Sequence, residues 1–257
     1  MPTVYEIDRF MSEWAPPSLS ESWDNDGVMV CGDKSKQVKK LLVCLELTEN
    51  ALDYAVKEGF DLVVTHHPYI FKKLSRISGT QYANLEKMMK NGISVLSYHT
   101  RLDSADGGVN DALAQRLGLE NITSFGGETG NIGRMGELEN AVTPHDFALL
   151  LKEKLGCDTL KYTDSGMPVH KVAVGGGSCG SELYKAAMAG CDTFVTADCA
   201  YHQHFDAQFR GMNLIDAGHY HTENPVVAVL AAKVQAAFPE IQVLVSKKHD
   251  DCANFFV

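Results

Sequence analysis

Two stretches of the chain repeat the same order of apolar runs and amphipathic segments. The first is KKLLVCLELTENALDYAVKEGFDLVVTHH at residues 39–67, and the second is HKVAVGGGSCGSELYKAAMAGCDTFVTAD at residues 170–198. Each stretch predicts a buried strand, a loop, an amphipathic helix and a second buried strand. Gly59 and Gly190 stand where the glycine that ends a helix is expected.

The two stretches align without a gap, and the alignment pairs Asp61 with Asp192. A third apolar run follows in each half, NGISVLSYH at 91–99 and RGMNLIDAGH at 210–219, and a helical period follows each run. The pattern predicts an internal duplication of a β-α-β-α-β-α unit. The expected fold class is therefore α/β, with two related α/β domains that each contain a mostly parallel sheet and flanking helices.

The glycine-rich stretch between the two copies marks the expected domain boundary. Residues 1–125 form the first predicted domain and residues 126–223 the second, with the alternative that the C-terminal helix and strand at 224–257 join the first. Within the stretch between the copies the pattern predicts a linker and one helix at 144–155, which begins at Thr143 or the residue after it. No third domain is expected there.

Composition narrows the classes of partner. The chain has 257 residues with 45% hydrophobic and 22% charged residues, as in globular proteins. Its formal charge of −10 disfavours nucleic acid as a partner. No apolar run approaches the roughly 18 residues of a membrane span, and no secretory signal is recognised. The seven cysteines are scattered without a C-x-x-C pair, which predicts reduced thiols and a cytoplasmic location.

Side chains that bind metals gather where the predicted strands end. Ligands of α/β proteins bind at the carboxyl ends of parallel strands, and three such groups lie there: His66 and His67, His99 and Asp103, His219 and Glu223. Imidazole and carboxylate donors together suit Zn, Mn, Fe, Co or Ni. A bridging carboxylate can hold two ions about 3.5–4 Å apart. A metal site is predicted, and a hydrogen-bonded structural role for each histidine stays open. His202 and His204 lie at a further strand end.

The glycine run Gly175–Gly180 offers a different interpretation. It satisfies G-x-G-x-x-G between a strand and a helix, and Asp198 follows at nearly the spacing of a ribose-binding acid. The corresponding loop of the first copy, CLELTE, has no glycine, which weighs against a dinucleotide site. Backbone amides that receive a substrate phosphate are the second alternative.

Two further polar groups receive structural interpretations. The segment Trp23–Gly27 reads as core packing followed by a turn before an apolar strand. The basic residues Lys72, Lys73 and Arg76 read as a solvated face. No recognisable nucleophile motif accompanies either group.

Six stretches carry a resemblance to a known family: ESWDNDGVMVCG, VVTHHPYIF, YHTRLDSADGGVNDALAQRLG, VGGGSC, TFVTADCAYHQHFDA and LIDAGHYHTE. Over essentially its whole length the sequence resembles the GTP cyclohydrolase I type 2 family, also called Nif-three-like proteins. The resemblance implies two related α/β domains, a toroidal homohexamer, and a dinuclear metal site in each subunit that faces the central cavity.

The resemblance also assigns residues by position. It implies two divalent metal ions per subunit (Zn, Fe, Mn, Co or Ni), with the ligands His66, His67, Asp103, His219 and Glu223. His99 lies beside the implied site and is the candidate catalytic residue for proton transfer. A stretch that lines the family's cavity matches Asp198, Tyr201, His202 and Asp206. Ala197 stands where many members have glycine, a departure that bears on the loop and leaves the five ligands in place.

Two functions are expected. The first is a metal-dependent hydrolase that acts on a nucleotide or another phosphate-containing small molecule, with GTP ring opening as one version. The alternative is a non-catalytic, metal-binding ring scaffold that binds a partner protein or handles metal ions; the acidic charge and the lack of a recognisable nucleophile favour it. The expected partners are further copies of the chain and a small-molecule substrate, with no nucleic acid and no membrane.

Overall fold

The computed structural model of the chain describes residues 1–248 and 251–253. Its contacts divide the chain into two compact units. The first contains Met1–Leu102 and the chain from Val227 through the last strand, which includes most of the last helix, and the second contains Asp103–Val226. The glycine-rich stretch predicts a boundary at residue 125. Residues between 103 and 125 lie in the second unit because Leu113 and Leu117 pack in its core.

The first part of the chain alternates strands with helices. Its elements are, in order, α1 (Val4–Trp14), β1 (Gly27–Val30), β2 (Lys40–Cys44), α2 (Glu49–Glu58), β3 (Leu62–Thr65), α3 (Gly79–Asn91), β4 (Ser94–Ser97) and α4 (Thr100–Ser104). A short 3-10 helix at Pro17–Leu19 precedes β1. Gly59 ends α2 in the left-handed conformation with φ +70°, as its sequence position predicts.

The remaining elements begin with the helix predicted after the third strand. They are α5 (Val109–Leu117), β5 (Glu120–Phe125), β6 (Gly133–Val142), α6 (Pro144–Leu155), β7 (Lys161–Thr163), β8 (Val169–Val174), α7 (Leu183–Met188), β9 (Thr193–Thr196), α8 (Tyr201–Phe209), β10 (Asn213–Asp216), α9 (His219–Glu223), α10 (Pro225–Ala237) and β11 (Gln242–Val245). A 3-10 helix at Gly180–Glu182 precedes α7. The predicted helix at 144–155 is confirmed, with Thr143 as its N-cap.

Each unit contains one sheet. In the first the strand order is β1-β4-β3-β2-β11, with every pair parallel except the edge pair β1–β4. In the second the order is β5-β6-β8-β9-β10-β7, and β8, β9 and β10 are parallel while the other pairs are antiparallel. The predicted α/β class with two related halves is confirmed. Antiparallel strands extend the second sheet on both sides of its parallel core, which the sequence patterns do not predict.

The two parallel cores repeat the same local contacts. A carboxylate oxygen of Asp61 accepts the backbone N–H of Lys40 at 3.2 Å, and Asp192 accepts the N–H of Lys171 at 2.7 Å. Each lysine ammonium in turn donates to a carbonyl at the end of the helix that follows its strand, at 2.8 Å for Lys40 and 2.7 Å for Lys171. Paired residues of the sequence alignment therefore perform the same task in both units.

The carboxylate of Asp61 should contribute measurably to the free energy of unfolding. Burial raises the pKa of Asp61, but the N–H groups of Lys39 and Lys40 and the neighbouring Lys36 outweigh it, so the pKa lies below its usual value. We expect Asp61→Asn to lower the free energy of unfolding by about 1–3 kcal/mol at pH 7, because these charge-assisted hydrogen bonds are weakened. Urea titration measures the difference.

The sign of the pH dependence follows from the lowered pKa. The contribution of Asp61 is present above its unfolded-state pKa of about 3.9 and is lost as the pH falls through the lower folded-state value. The gap in unfolding free energy between Asp61→Asn and the natural chain should therefore narrow at pH 3. Asp53→Asn is the control, because the Asp53 side chain is 62% exposed and its ion pair should contribute little. An equal gap at both pH values would contradict the prediction.

The stretch between the copies contains a strand, β6, where the sequence predicts a linker. Strand β6 spans ten residues and pairs with both β5 and β8. Only part of the length of β6 is buried, so its polar residues obscure the apolar signal of a strand.

All seven cysteines are free thiols, as predicted. Among the residues that the structure describes, every helix is too short or too polar to cross a bilayer.

Candidate metal centre

Three histidines meet at the carboxyl ends of two neighbouring strands in the first unit. His66 and His67 follow β3, His99 follows β4, and these strands are parallel with Thr65 opposite Ser97. The ring centroids are 4.9 Å apart for His66 and His67, 5.3 Å for His66 and His99, and 5.8 Å for His67 and His99. One nitrogen of each ring lies within 4.8 Å of the others, so the group could hold a metal ion.

Hydrogen bonds select the nitrogen that each of these rings can offer to a metal. Nδ1 of His66 lies 3.0 Å from the carbonyl oxygen of Tyr98, and Nδ1 of His67 lies 3.1 Å from Oε1 of Glu46. A carbonyl or a carboxylate only accepts, so both Nδ1 atoms carry the proton and both Nε2 atoms keep a lone pair. Metal-binding histidines characteristically have this arrangement.

His99 is held in the same way by a buried acid. Its Nδ1 donates to Oδ1 of Asp24 at 2.8 Å, and the Asp24 side chain is 1% exposed. The second carboxylate oxygen accepts both the N–H of Thr100 at 3.0 Å and its hydroxyl at 2.6 Å. Burial raises the pKa of Asp24, but the hydrogen bonds and charge of His99 and the bonds from Thr100 outweigh it and hold the pKa far below its usual range. The structural interpretation of Asp24 as part of a turn misses this role.

The second unit contains an acid and a histidine close together on one short helix. His219 begins α9 and Glu223 ends it, and their spacing of four residues brings Nε2 of His219 within 3.1 Å of Oε2 of Glu223. Nδ1 of His219 donates to Asp198 at 2.7 Å, which leaves Nε2 as the atom that faces Glu223 and that a metal would contact. Asp198 has φ +53°, an unusual value for a residue other than glycine. Two ligand atoms about 2 Å from one tetrahedral ion lie about 3 Å apart, which this pair matches.

The glycine run lies against this pair. A Cβ atom added to Gly177 would lie 2.1 Å from Oε1 of Glu223 and 2.9 Å from Nε2 of His219. Gly177 also has φ +62°, which favours glycine on backbone grounds alone. The close approach of the loop to Glu223 and His219 thus requires a residue without a side chain.

The amides of the same run are used within the unit. The N–H groups of Gly176, Gly177 and Cys179 donate to side-chain oxygens at 2.7, 3.0 and 3.1 Å, which belong to Asn110, Thr222 and Thr196 respectively. An amide already bonded in this way is not available to a phosphate. The structure therefore gives the glycines a different role from the phosphate-binding alternative, which is to position two candidate metal ligands.

The other sequence-predicted residues occupy varied surroundings. Asp103 lies in α4 with its side chain buried, 7% of its surface being exposed. His204 on α8 bonds through Nδ1 to the hydroxyl of Thr163 at 2.7 Å, and burial lowers its pKa. Across residues 1–248 and 251–253, neither His202 nor His204 joins a cluster able to hold a metal. The full ligand set draws on both units and stays a prediction, as does the cavity-lining role of Tyr201, His202 and Asp206.

Comparison with known proteins places the chain in a family. The model of the family described as Duf34/NIF3 (NGG1p interacting factor 3) matches residues 2–251. The chain belongs to the NIF3 family. The resemblance seen in the six sequence motifs is thereby confirmed.

Relatives of this NIF3-family chain share its full length. It is 33% identical over 259 residues to the GTP cyclohydrolase 1 type 2 homolog of Clostridium perfringens, covering 97% of the chain and 98% of the relative. The protein of that name from Clostridium acetobutylicum is 32% identical over 264 residues, with 98% of each covered. A hypothetical protein of Staphylococcus aureus superposes with a TM-score of 0.91 at 26% identity and 99% coverage of both chains. Reduced HcgD from Methanocaldococcus jannaschii gives 0.82 at 27% identity, covering 95% and 97%.

Proposed function

We propose that this NIF3-family chain is a metal-dependent hydrolase that acts on a nucleotide or another phosphate-containing small molecule. Two divalent ions, Zn, Fe, Mn, Co or Ni, are held in the proposal by the ligands His66, His67, Asp103, His219 and Glu223. The observation that carries it is the shared hydrogen bonding of the histidines. Four rings bond through Nδ1 to an acceptor and keep Nε2 for another partner.

The chemistry divides between the ions and the chain. When bound, divalent ions would supply Lewis-acid chemistry: activation of water near neutral pH and stabilisation of negative charge on a phosphoryl or carbonyl oxygen. His99 is the proposed proton acceptor, because Nδ1 already donates to Asp24 at 2.8 Å and Nε2 keeps its lone pair. Asp24 orients the ring and stabilises its protonated form, as a buried carboxylate does for a catalytic histidine.

The relatives support the substrate class only by their names. Two of them are called GTP cyclohydrolase 1 type 2 homologs. Ring opening of GTP is accordingly one version of the proposal, and hydrolysis of a phosphate ester or a cyclic amide is another. Assembly into a toroidal homohexamer and a cytoplasmic location belong to the same proposal.

Element-resolved metal analysis and a substrate screen test the proposal together. Protein purified without added metal should contain close to two divalent ions per subunit and should turn over a nucleotide or phosphoester. Asp103→Ala should abolish that turnover and lower the metal content. Asp106→Ala is the control, because the Asp106 side chain is fully exposed. Turnover that survives Asp103→Ala would overturn the mechanism.

The alternative function, a non-catalytic metal-binding scaffold, predicts a different result in the same experiment. Two tightly bound ions per subunit, combined with clean negatives across the substrate screen, would favour a protein that holds or handles metals. His66→Ala should lower the metal content under either function, since Nε2 of His66 is a ligand in both. Full metal content in His66→Ala would remove the basis for both.

A further inference from the structure

An aromatic pair borders the histidine cluster of the first unit. The ring centroid of Trp23 lies 6.1 Å from that of His99 at an interplanar angle of 77°, and the Phe71 ring lies 5.9 Å from His99 at 89°. Trp23 and Phe71 are 6.1 Å apart at 73°. The three rings are therefore nearly perpendicular to one another, the arrangement of edge-to-face packing. Despite these contacts, 59% of Trp23 and 47% of Phe71 remain exposed.

Polar contacts hold the two aromatic residues beside the histidine. Asp24, the residue after Trp23, is bonded to His99 and Thr100. The side-chain amide of Asn25 donates to the backbone carbonyl of Ile70, the residue before Phe71. The chain positions on both sides are thus fixed by hydrogen bonds. Large exposed aromatic surface held in this way is available for stacking at a small cost in conformational entropy.

Three basic residues follow Phe71 within five positions. Lys72, Lys73 and Arg76 are all exposed, and none forms an ion pair within the part of the chain that the structure describes. Other lysines of this unit, such as Lys36 and Lys87, do pair with aspartates. A group of unpaired cations on a chain with a formal charge of −10 favours an anionic ligand at this place.

We propose that Trp23 and Phe71, together with Lys72, Lys73 and Arg76, bind a small molecule that contains a planar aromatic ring and a phosphate group. The ring stacks on the exposed aromatic surface beside His99, and the phosphate meets the basic residues. Stacking of a nucleobase on an aromatic side chain makes a substantial contribution to binding and tolerates different bases. The inference deepens the proposed function, on which it rests, by naming the part of the substrate that each residue holds.

Tryptophan fluorescence can report the stacking directly. The sequence contains two tryptophans, Trp14 and Trp23, so Trp14→Phe leaves Trp23 as the single reporter. We expect GTP and ATP to quench Trp23 to saturation. Guanosine should quench with weaker affinity, and tripolyphosphate should not quench. In Trp23→Phe, where Trp14 reports, the signal should not change with any of the four compounds.

Calorimetric titration with GTP separates the contributions of the residues. Phe71→Leu should weaken GTP binding about tenfold, in line with the loss of one stacking partner. The double variant Lys72→Gln/Lys73→Gln should weaken GTP binding to a similar degree and leave guanosine binding unchanged. Tyr5→Leu is the matched control, because Tyr5 is an exposed aromatic of α1, 53% of which is accessible.

The outcomes distinguish this inference from the proposed function. Saturable quenching by ring compounds without turnover would support the ring site and count against the hydrolase. Turnover with unchanged GTP affinity in Phe71→Leu and in the double lysine variant would overturn the ring site and leave the hydrolase standing. A fall in assembly mass of Phe71→Leu by light scattering, with GTP binding unaffected, would overturn it as well, because the aromatic surface would then serve contacts between copies.

Discussion

Gly177→Ala should weaken binding of the metal that His219 and Glu223 are proposed to hold, while the chain remains folded. The added methyl group would lie 2.1 Å from a carboxylate oxygen of Glu223, far inside van der Waals contact. Glu223 is 4% exposed, so its side chain has little room to retreat. Displacement of the carboxylate and of the imidazole should weaken the metal affinity about 100-fold, the upper range for residues that position ligands.

A glycine with the same backbone conformation gives a matched control. Gly156 ends α6 with φ +67°, and a Cβ there would meet no atom within 4 Å. Alanine at either position carries a similar strain of about 1 kcal/mol, because both adopt the left-handed conformation. Only Gly177→Ala adds a clash at the candidate ligands.

Metal titration and thermal unfolding of both variants distinguish a clash at the candidate ligands from backbone strain alone. Gly156→Ala should bind metal as the natural chain does and unfold at a slightly lower temperature. Gly177→Ala should lose affinity well beyond any change in stability. Equal metal affinity in the two variants would show that the glycine loop does not position the ligands, and a phosphate-binding role would become worth testing again.

Asp24→Ala should reduce turnover by about 10²–10⁴-fold with the metal content unchanged. The range is that expected for loss of a positioned acid or base. Without the carboxylate, Nδ1 of His99 loses the acceptor at 2.8 Å that fixes both the ring orientation and the tautomer. The N–H and hydroxyl of Thr100 lose their acceptor too, so a stability loss of about 1–3 kcal/mol should accompany the effect.

A second acid in the same segment provides the control that separates the loss of turnover from the loss of stability. Asp26 accepts the hydroxyl of Ser20 at 2.9 Å and pairs with Nε of Arg101 at 3.1 Å. Asp26→Ala should therefore destabilise the chain by a comparable amount and leave the steady-state rate per folded molecule nearly unchanged. Steady-state kinetics on both variants, with metal analysis, measures the difference. Equal losses of activity would mean that Asp24 acts through stability alone.

Much of the fold could be predicted because its signals are local. The strands β3 and β9 are buried along their whole length and read as continuous apolar runs. The pairing of Asp61 with Asp192 in the sequence corresponds to identical contacts in the two units. Strands β5 and β6 lack such a signal, because most residues of β5 and the middle of β6 are partly or fully exposed.

The part of the candidate site that could be predicted is the part that the order of the strands determines. The rule that ligands gather at strand ends brings His66, His67 and His99 together. The acids that bond to these rings were not predicted, because they are distant in sequence. Asp24 lies 75 residues from His99, and Glu46 lies 21 residues from His67. Glu46 follows β2, so the same rule applied to that strand would have included it. Asp24 precedes an edge strand and carries no comparable signal.

The hydrogen bonds at Nδ1 have a consequence for how quickly a metal would be taken up. Because the rings are oriented and their tautomers selected when the chain folds, little rearrangement of the protein remains for the moment of capture. Association should then be limited by the loss of water from the hydrated cation rather than by motion of the polypeptide. Ions that exchange water rapidly would enter first, and slowly exchanging ions such as nickel would follow.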